Sequence, residues 1–214
     1  MRAIVPSIMA CAVFAAAALG ATDAGLIPLP APDTTGGMPL MRALNARRSS
    51  RRFDPGRPLP DPVLSNLLWA AFGVNRPESG KRTAPSAVNW QEIDILVARA
   101  DGVYRYDAPG HALVPVLDRD IRALTGRQDF TADAAVDLVY VADYARMQCA
   151  DDIKDFYSAT DTGFIGQNVY LYAASEGLAT VTVGLVNRAD LGHALGLKAT
   201  QRITLVQPVG YPRE

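Results

Sequence analysis

The 214-residue sequence is 49% hydrophobic, with 21 basic residues against 22 acidic ones and a formal net charge of −1. That apolar share excludes an intrinsically disordered chain, and the length fits one domain with a core of its own. The near-neutral balance excludes a broad basic surface for nucleic acid, so any cationic site has to be local.

Residues 1–20 stand apart. Arg2 is followed by an almost wholly apolar, Ala-rich run that ends at Ala18-Leu19-Gly20, small residues where a signal peptidase reads. This predicts a cleavable secretory signal peptide; a retained membrane anchor is the alternative, because the run nearly reaches the length of a bilayer span. Ile8-Met9-Ala10-Cys11 faintly suggests lipoprotein processing, yet the apolar run continues past Cys11. Cleavage would place the mature protein in the periplasm or outside the cell, with no stable membrane span. Cys149 would then be its single cysteine, without an intramolecular disulfide partner.

Residues 21–38 are rich in Pro, Gly and Thr without hydrophobic period, which predicts an extended arm or linker. A single domain over 39–214 follows. Its first helix is expected over residues 39–46, with Leu40, Ala43 and Leu44 on one face, and it delivers Arg47-Arg48-Ser49-Ser50-Arg51-Arg52-Phe53 at its end. Asp61-Pro62 reads as a helix start; Val63, Leu64, Leu67, Leu68 and Ala71 form its apolar stripe before Gly73. Strands are expected over 93–98, 103–106 and 112–116, the first two joined by an Asp101-Gly102 turn.

Residues 117–124 predict a helix ending near Gly126, and the continuous apolar run 136–142 a strand buried on both faces near the sheet centre. The longest helix is expected over 161–176, with Gly177 as its stop and an apolar surface from Phe164 to Ala173 too broad for one side of cover. A strand over 180–183, a short helix over 189–195 and a last strand over 203–209 complete an α+β domain, a sheet of five strands with helices on its faces. No GxGxxG turn joins a strand to a helix, which disfavours a Rossmann site. His111 and His193 each stand alone, so a metal site is not expected, and each reads as a surface residue rather than a catalytic base.

Three segments combine polar groups with tight backbone. Arg47, Arg48, Ser49 and Arg51 pair planar guanidinium forks with a hydroxyl, which suits phosphate. The loop Pro85-Ser86-Ala87-Val88-Asn89-Trp90-Gln91 offers amide and hydroxyl groups to a heteroaromatic edge or a polyol, and Thr182-Val183-Gly184 offers backbone amides at a strand end. Together they could bind a phosphorylated heterocycle; separately they read as a solvated basic turn, a capping loop and a core strand end.

In the Arg47-Arg48-Ser49-Ser50-Arg51-Arg52-Phe53 segment, the Leu67-Leu68-Trp69-Ala70-Ala71-Phe72-Gly73 helix, the 85–91 loop, Gly166-Gln167-Asn168 and Val209-Gly210-Tyr211-Pro212, the chain resembles the nitroreductase-like family of FMN-dependent oxidoreductases. Gly102-Val103-Tyr104-Arg105-Tyr106-Asp107 with His111 is similar to the thiazoline and oxazoline dehydrogenase branch. The resemblance implies a nitroreductase-like fold, a central, mostly antiparallel sheet flanked by helices, in an intertwined homodimer with FMN at each of two interfaces. It places Arg47, Arg48, Ser49 and Arg51 on the cofactor from one chain and Pro85, Ser86, Ala87 and Asn89 from the other. Thr182, Val183 and Gly184 are expected near the flavin's reactive nitrogen, and Arg213 beside the phosphate in place of a longer basic tail. The implied activity is ping-pong transfer of a hydride or electron pair between a small-molecule donor and an organic acceptor, with no catalytic side chain required. An exported, non-catalytic flavin- or ligand-binding protein with the same fold is the other reading.

Overall fold

The computed structural model describes residues 25–213, so the signal peptide expected over 1–20, with Cys11, lies outside the described residues. The elements are β1 (Ile27–Pro28), α1 (Leu40–Ala46), α2 (Asp61–Phe72), β2 (Val74–Arg76), β3 (Lys81–Arg82), β4 (Ile93–Arg99), β5 (Gly102–Asp107), β6 (Ala112–Leu117), α3 (Phe130–Asp133), β7 (Val136–Asp143), α4 (Asp151–Glu176), β8 (Ala179–Thr180), α5 (Arg188–Ala194) and β9 (Gln201–Gly210). Seven strands, in the order β1-β6-β5-β4-β7-β9-β8, form one sheet in which every pairing is antiparallel. The count exceeds the expected five: β1 forms within the segment expected to be an arm, and the strand expected over 180–183 forms as β8 over Ala179–Thr180, with Val183 keeping only an isolated bridge to Val206.

Strand β7 lies inside the sheet between β4 and β9, and its side chains alternate between two cores. Val136, Leu138, Tyr140 and Ala142 pack with Leu64, Leu67, Leu68 and Phe72 of α2 and with Ile165 and Val169 of α4. Val139 and Val141 face the opposite way, toward Phe53, Ile121, Val181, Val183, Leu191 and Ile203. A continuous apolar run is what such two-sided burial requires. The β4–β5 turn forms one residue earlier than expected, over Ala100 and Asp101, with Gly102 opposite Arg99 at the start of β5; at Gly102 (φ +150°) a Cβ would stand 2.4 Å from the Leu117 carbonyl oxygen, so only glycine fits.

Three expectations shift. The helix over 117–124 is absent: Leu117 pairs with Val103 as the end of β6, and only a single 3-10 turn forms over Arg122–Leu124. The Asp120 carboxylate accepts from the Arg122 backbone N–H at 3.0 Å, a local bond that competes with helix formation. Helix α4 begins ten residues before Asp161 and runs for 26 residues. Thr160 and Thr162 lie inside it and donate back to the carbonyls of Phe156 and Ser158, while Asp151 and Asp152 supply first-turn negative charge. At its far end Gly177 adopts φ +68°, the left-handed stop expected of it.

His111 is half-buried, whereas His193 is exposed as expected. The His111 ring bonds the Ser65 hydroxyl at 2.7 Å, the Tyr106 hydroxyl at 2.9 Å and the Pro30 carbonyl at 3.1 Å, which fastens the 21–38 arm to α2. Among the described residues no helix is long and apolar enough to cross a membrane.

Candidate functional site

The chain leaves α1 at Arg47 and runs extended. The Ser50 N–H donates to the Thr180 carbonyl at 2.9 Å, and the Phe53 ring is sunk in the second core, 6.2 Å from Phe130. These two anchors hold the segment down and leave Arg48, Ser49 and Arg51 exposed. Arg213 comes alongside, because its backbone N–H donates to the Arg52 carbonyl at 3.1 Å. None of the ion pairs among the described residues involves Arg47, Arg48, Arg51 or Arg213. Four guanidinium groups without an acidic partner among the described residues make a local cationic surface on a near-neutral protein. A cavity of about 460 Å³ opens beside them, lined by Arg47, Arg48, Ser50, Tyr170, Gly177 and Pro212 among others.

Tyr170 organises this surface, and no sequence motif marks it. Its hydroxyl bonds Ser49 Oγ at 3.0 Å and accepts from the Thr182 backbone N–H at 2.8 Å, and the Arg47 guanidinium lies 5.3 Å from its ring centre. Burial pushes the phenol up, but the bonds from Ser49 and Thr182 and the charge of Arg47 together hold it below the usual tyrosine value. Helical spacing was the available signal: Tyr170 is four residues from Gly166, on the same side of α4. Replacing Tyr170 with Phe removes the shared acceptor and leaves the Thr182 amide without its partner. We expect roughly tenfold weaker cofactor binding by fluorescence titration, with about 1 kcal/mol of stability lost.

At the strand end, the Thr182 amide is thus committed to Tyr170, and the Val183 amide to the Val206 carbonyl at 2.7 Å. The Gly184 N–H donates to no described group and stays open to a ligand.

The 85–91 loop is built differently. Val88, Asn89 and Gln91 all adopt left-handed φ angles, of 51°, 60° and 48°, which L side chains tolerate poorly and which persist only where surroundings impose them. The surroundings are specific. The Gln91 N–H donates to Ser86 Oγ at 2.8 Å, Ser86 Oγ donates to Glu92 Oε2 at 3.1 Å, and the Ala87 N–H donates to Asp161 Oδ2 at 2.8 Å. The Ser86 hydroxyl proton and the Ala87 amide are therefore used inside the protein. Pro85 and Asn89 are exposed, and the Asn89 amide nitrogen has no bond to a described group. Glu92 and Asp161, which sequence reasoning missed, lie beneath the loop.

Arg47, Ser49 and Thr182 thus converge on Tyr170, whereas the 85–91 loop is fastened at Asp161, nine residues along α4. At 1.5 Å per residue the two anchor points are about 14 Å apart along the helix axis. Within a single chain they are two separate clusters.

The sequence signature of the Nitroreductase family matches residues 44–211. A provisionally named nitroreductase of Methanocaldococcus jannaschii is 35% identical over 175 residues, covering 77% of this chain and 86% of the relative. Among solved structures, a provisionally named nitroreductase of Ralstonia eutropha JMP134 superposes with a TM-score of 0.84 at 44% identity, covering 88% of this chain and 90% of that one. Another from Desulfovibrio desulfuricans, solved in complex with FMN, has a TM-score of 0.60 at 25% identity over 84% and 89% of the respective chains.

Proposed function

Because the chain belongs to the nitroreductase family, we propose that this oxidoreductase is FMN-dependent and works as a homodimer, each cofactor held between two copies. The observation that carries the reading is the set of arginines without acidic partners, Arg47, Arg48, Arg51 and Arg213, beside Ser49, Tyr170 and a cavity of about 460 Å³. This donor set suits a phosphate joined to a polyol: guanidinium forks for the dianion, the Ser49 hydroxyl for the chain next to it. The Desulfovibrio relative with FMN bound supports the same cofactor here.

The protein's own contribution is position and electrostatics. Arg48 and Arg51 supply charge-assisted hydrogen bonds, and Tyr170 fixes the Ser49 hydroxyl. The open Gly184 N–H is a neutral donor for a ring nitrogen, and the second copy's loop supplies Pro85 and Asn89 as the opposite wall. Bound FMN would supply reversible two-electron chemistry, accepting a hydride from a donor that then leaves and returning it, with a proton from solvent, to an organic acceptor. Neither half-reaction requires a catalytic side chain in this scheme.

The second copy is favoured by α4 and α1. Ile165, Val169 and Ala173 are buried in the fold, yet Ile153, Phe156 and Phe164 of the same helix and Leu40, Met41 and Leu44 of α1 stay exposed. Large apolar side chains left exposed in number on two helices suit an interface. We further propose that residues 1–20 direct export, so that the enzyme meets little NADH or NADPH and takes electrons from another reductant. Anaerobic titration of the purified protein with NADH, NADPH and reduced quinones, followed by flavin absorbance, tests this. Bleaching by a quinol with slow or no bleaching by the nicotinamides is expected; if no donor bleaches the flavin, the protein binds flavin without turning it over.

A further inference from the structure

Glu92 and Asp161 are both buried, 0% and 2% exposed, and they face each other beneath the 85–91 loop. Each has one oxygen engaged with the loop: Glu92 Oε2 accepts from Ser86 Oγ, and Asp161 Oδ2 accepts from the Ala87 N–H. Glu92 Oε1 is buried and receives no N–H or O–H from any described group. Two ionised carboxylates in contact inside a protein are costly, and no Lys or Arg among the described residues pairs with either to offset the repulsion. Arg82 and Arg146 bond the side chain and carbonyl of neighbouring Gln91, and Arg146 is also paired with Asp94. Asp143 lends its backbone N–H to the Glu92 carbonyl while its carboxylate accepts from the Ala145 N–H and Thr200. One proton between the two carboxyls satisfies the bare oxygen and removes the repulsion together.

We propose that Glu92 and Asp161 share a single proton at neutral pH and, as a positioning pair, clamp the 85–91 loop in the left-handed conformation that presents Pro85 and Asn89 to the cofactor. The clamp closes a ring of contacts, from the Gln91 amide to Ser86, Glu92, Asp161 and the Ala87 amide, so it holds both ends of the loop. Burial foremost, then the charge of Asp161, pushes the Glu92 carboxyl up to about 7. Since its value in the folded state is raised, the stabilisation is complete below the ordinary carboxyl range and is lost as pH rises through about 7. Above that point a second negative charge sits under the loop, and the loop loosens. The shared proton stands independently of the flavin reading; the consequence for flavin binding rests on it.

The test uses the full chain and its Glu92→Gln and Asp161→Asn variants, which keep size and hydrogen bonding but cannot share a proton. Infrared difference spectra should show a protonated-carboxyl band in the wild type that titrates near pH 7, is missing from E92Q, and titrates at a lower pH in D161N, where Glu92 stays buried but loses its charged neighbour. Hydrogen exchange of residues 85–91, measured without flavin and corrected for intrinsic base catalysis, should speed up roughly tenfold in the wild type between about pH 6 and about pH 8.5, and hardly at all in E92Q. FMN affinity should fall over the same range only in the wild type. Identical infrared spectra in wild type and E92Q would overturn the shared proton, and an unchanged pH response of loop exchange in E92Q would overturn the clamp. If the band and the exchange behave as expected while FMN fails to bind at any pH, the pair stands and the cofactor assignment falls.

Discussion

The Arg48→Ala, Arg51→Ala double variant is expected to purify folded and colourless. Both side chains are exposed and make no ion pair with a described residue, so their removal takes nothing from either core. Each should contribute a charge-assisted bond to the cofactor phosphate of about 1.5 to 3 kcal/mol, so the pair together is worth a hundredfold in affinity or more. Arg47 and Arg213 remain, and they cannot replace two bidentate forks. Flavin content after gel filtration and an affinity titration with added FMN check this, with thermal unfolding as the control for folding. A double variant that keeps its full flavin complement would remove the phosphate role from these arginines.

A second large effect is expected at the exposed apolar face of α4. Phe156 and Phe164 are 65% and 46% exposed in the single chain, so Phe156→Glu with Phe164→Glu should cost the isolated fold little. At an interface the same change would bury four unpaired carboxylates per dimer, each costing several kcal/mol. Sedimentation velocity at micromolar protein should therefore show a monomer. Flavin should be lost along with the partner, since in the proposed dimer the 85–91 loop that completes each site would come from the other copy. A variant that stays dimeric would mean that subunits meet through another face, and a monomer that still holds FMN tightly would mean that one chain suffices.

The sequence announced most of this architecture where one physical signal dominated. The apolar run of β7 could only be a strand covered on both sides, and Gly102 and Gly177 marked a turn and a helix end through backbone freedom. The arginine and serine side chains of 47–51 suggested an anion site by composition alone, and the structure leaves Arg47, Arg48 and Arg51 without an acidic partner among the described residues. What stayed hidden depended on contacts distant in sequence. The α4 start was misplaced because its first turns are charged at Asp151, Asp152, Lys154 and Asp155 and leave Ile153 and Phe156 exposed, so no buried apolar period announces them. The strand β1 exists only as a pairing to β6. His111 looked like a surface residue because its partners, Ser65 and Pro30, lie 46 and 81 positions away.

The candidate site divides in the same way. Charged and glycine-rich segments could be read directly, but the groups that orient them could not. Tyr170 bridges Ser49 and Thr182 across 121 and 12 positions, and Asp161 reaches Ala87 across 74. These groups change what the legible residues have to offer. The Ser86 hydroxyl proton and the Ala87 and Thr182 amides are already engaged, which shifts the expected contact work toward Asn89, Gly184 and the arginines.

Native mass spectrometry of the full chain, purified with FMN in the buffer and then exchanged out of it, tests the central claim most directly. The account predicts a species of two chains carrying two FMN molecules, with no flavin on any residual monomer. A monomer with or without flavin as the main species, or a dimer that carries none, would contradict it.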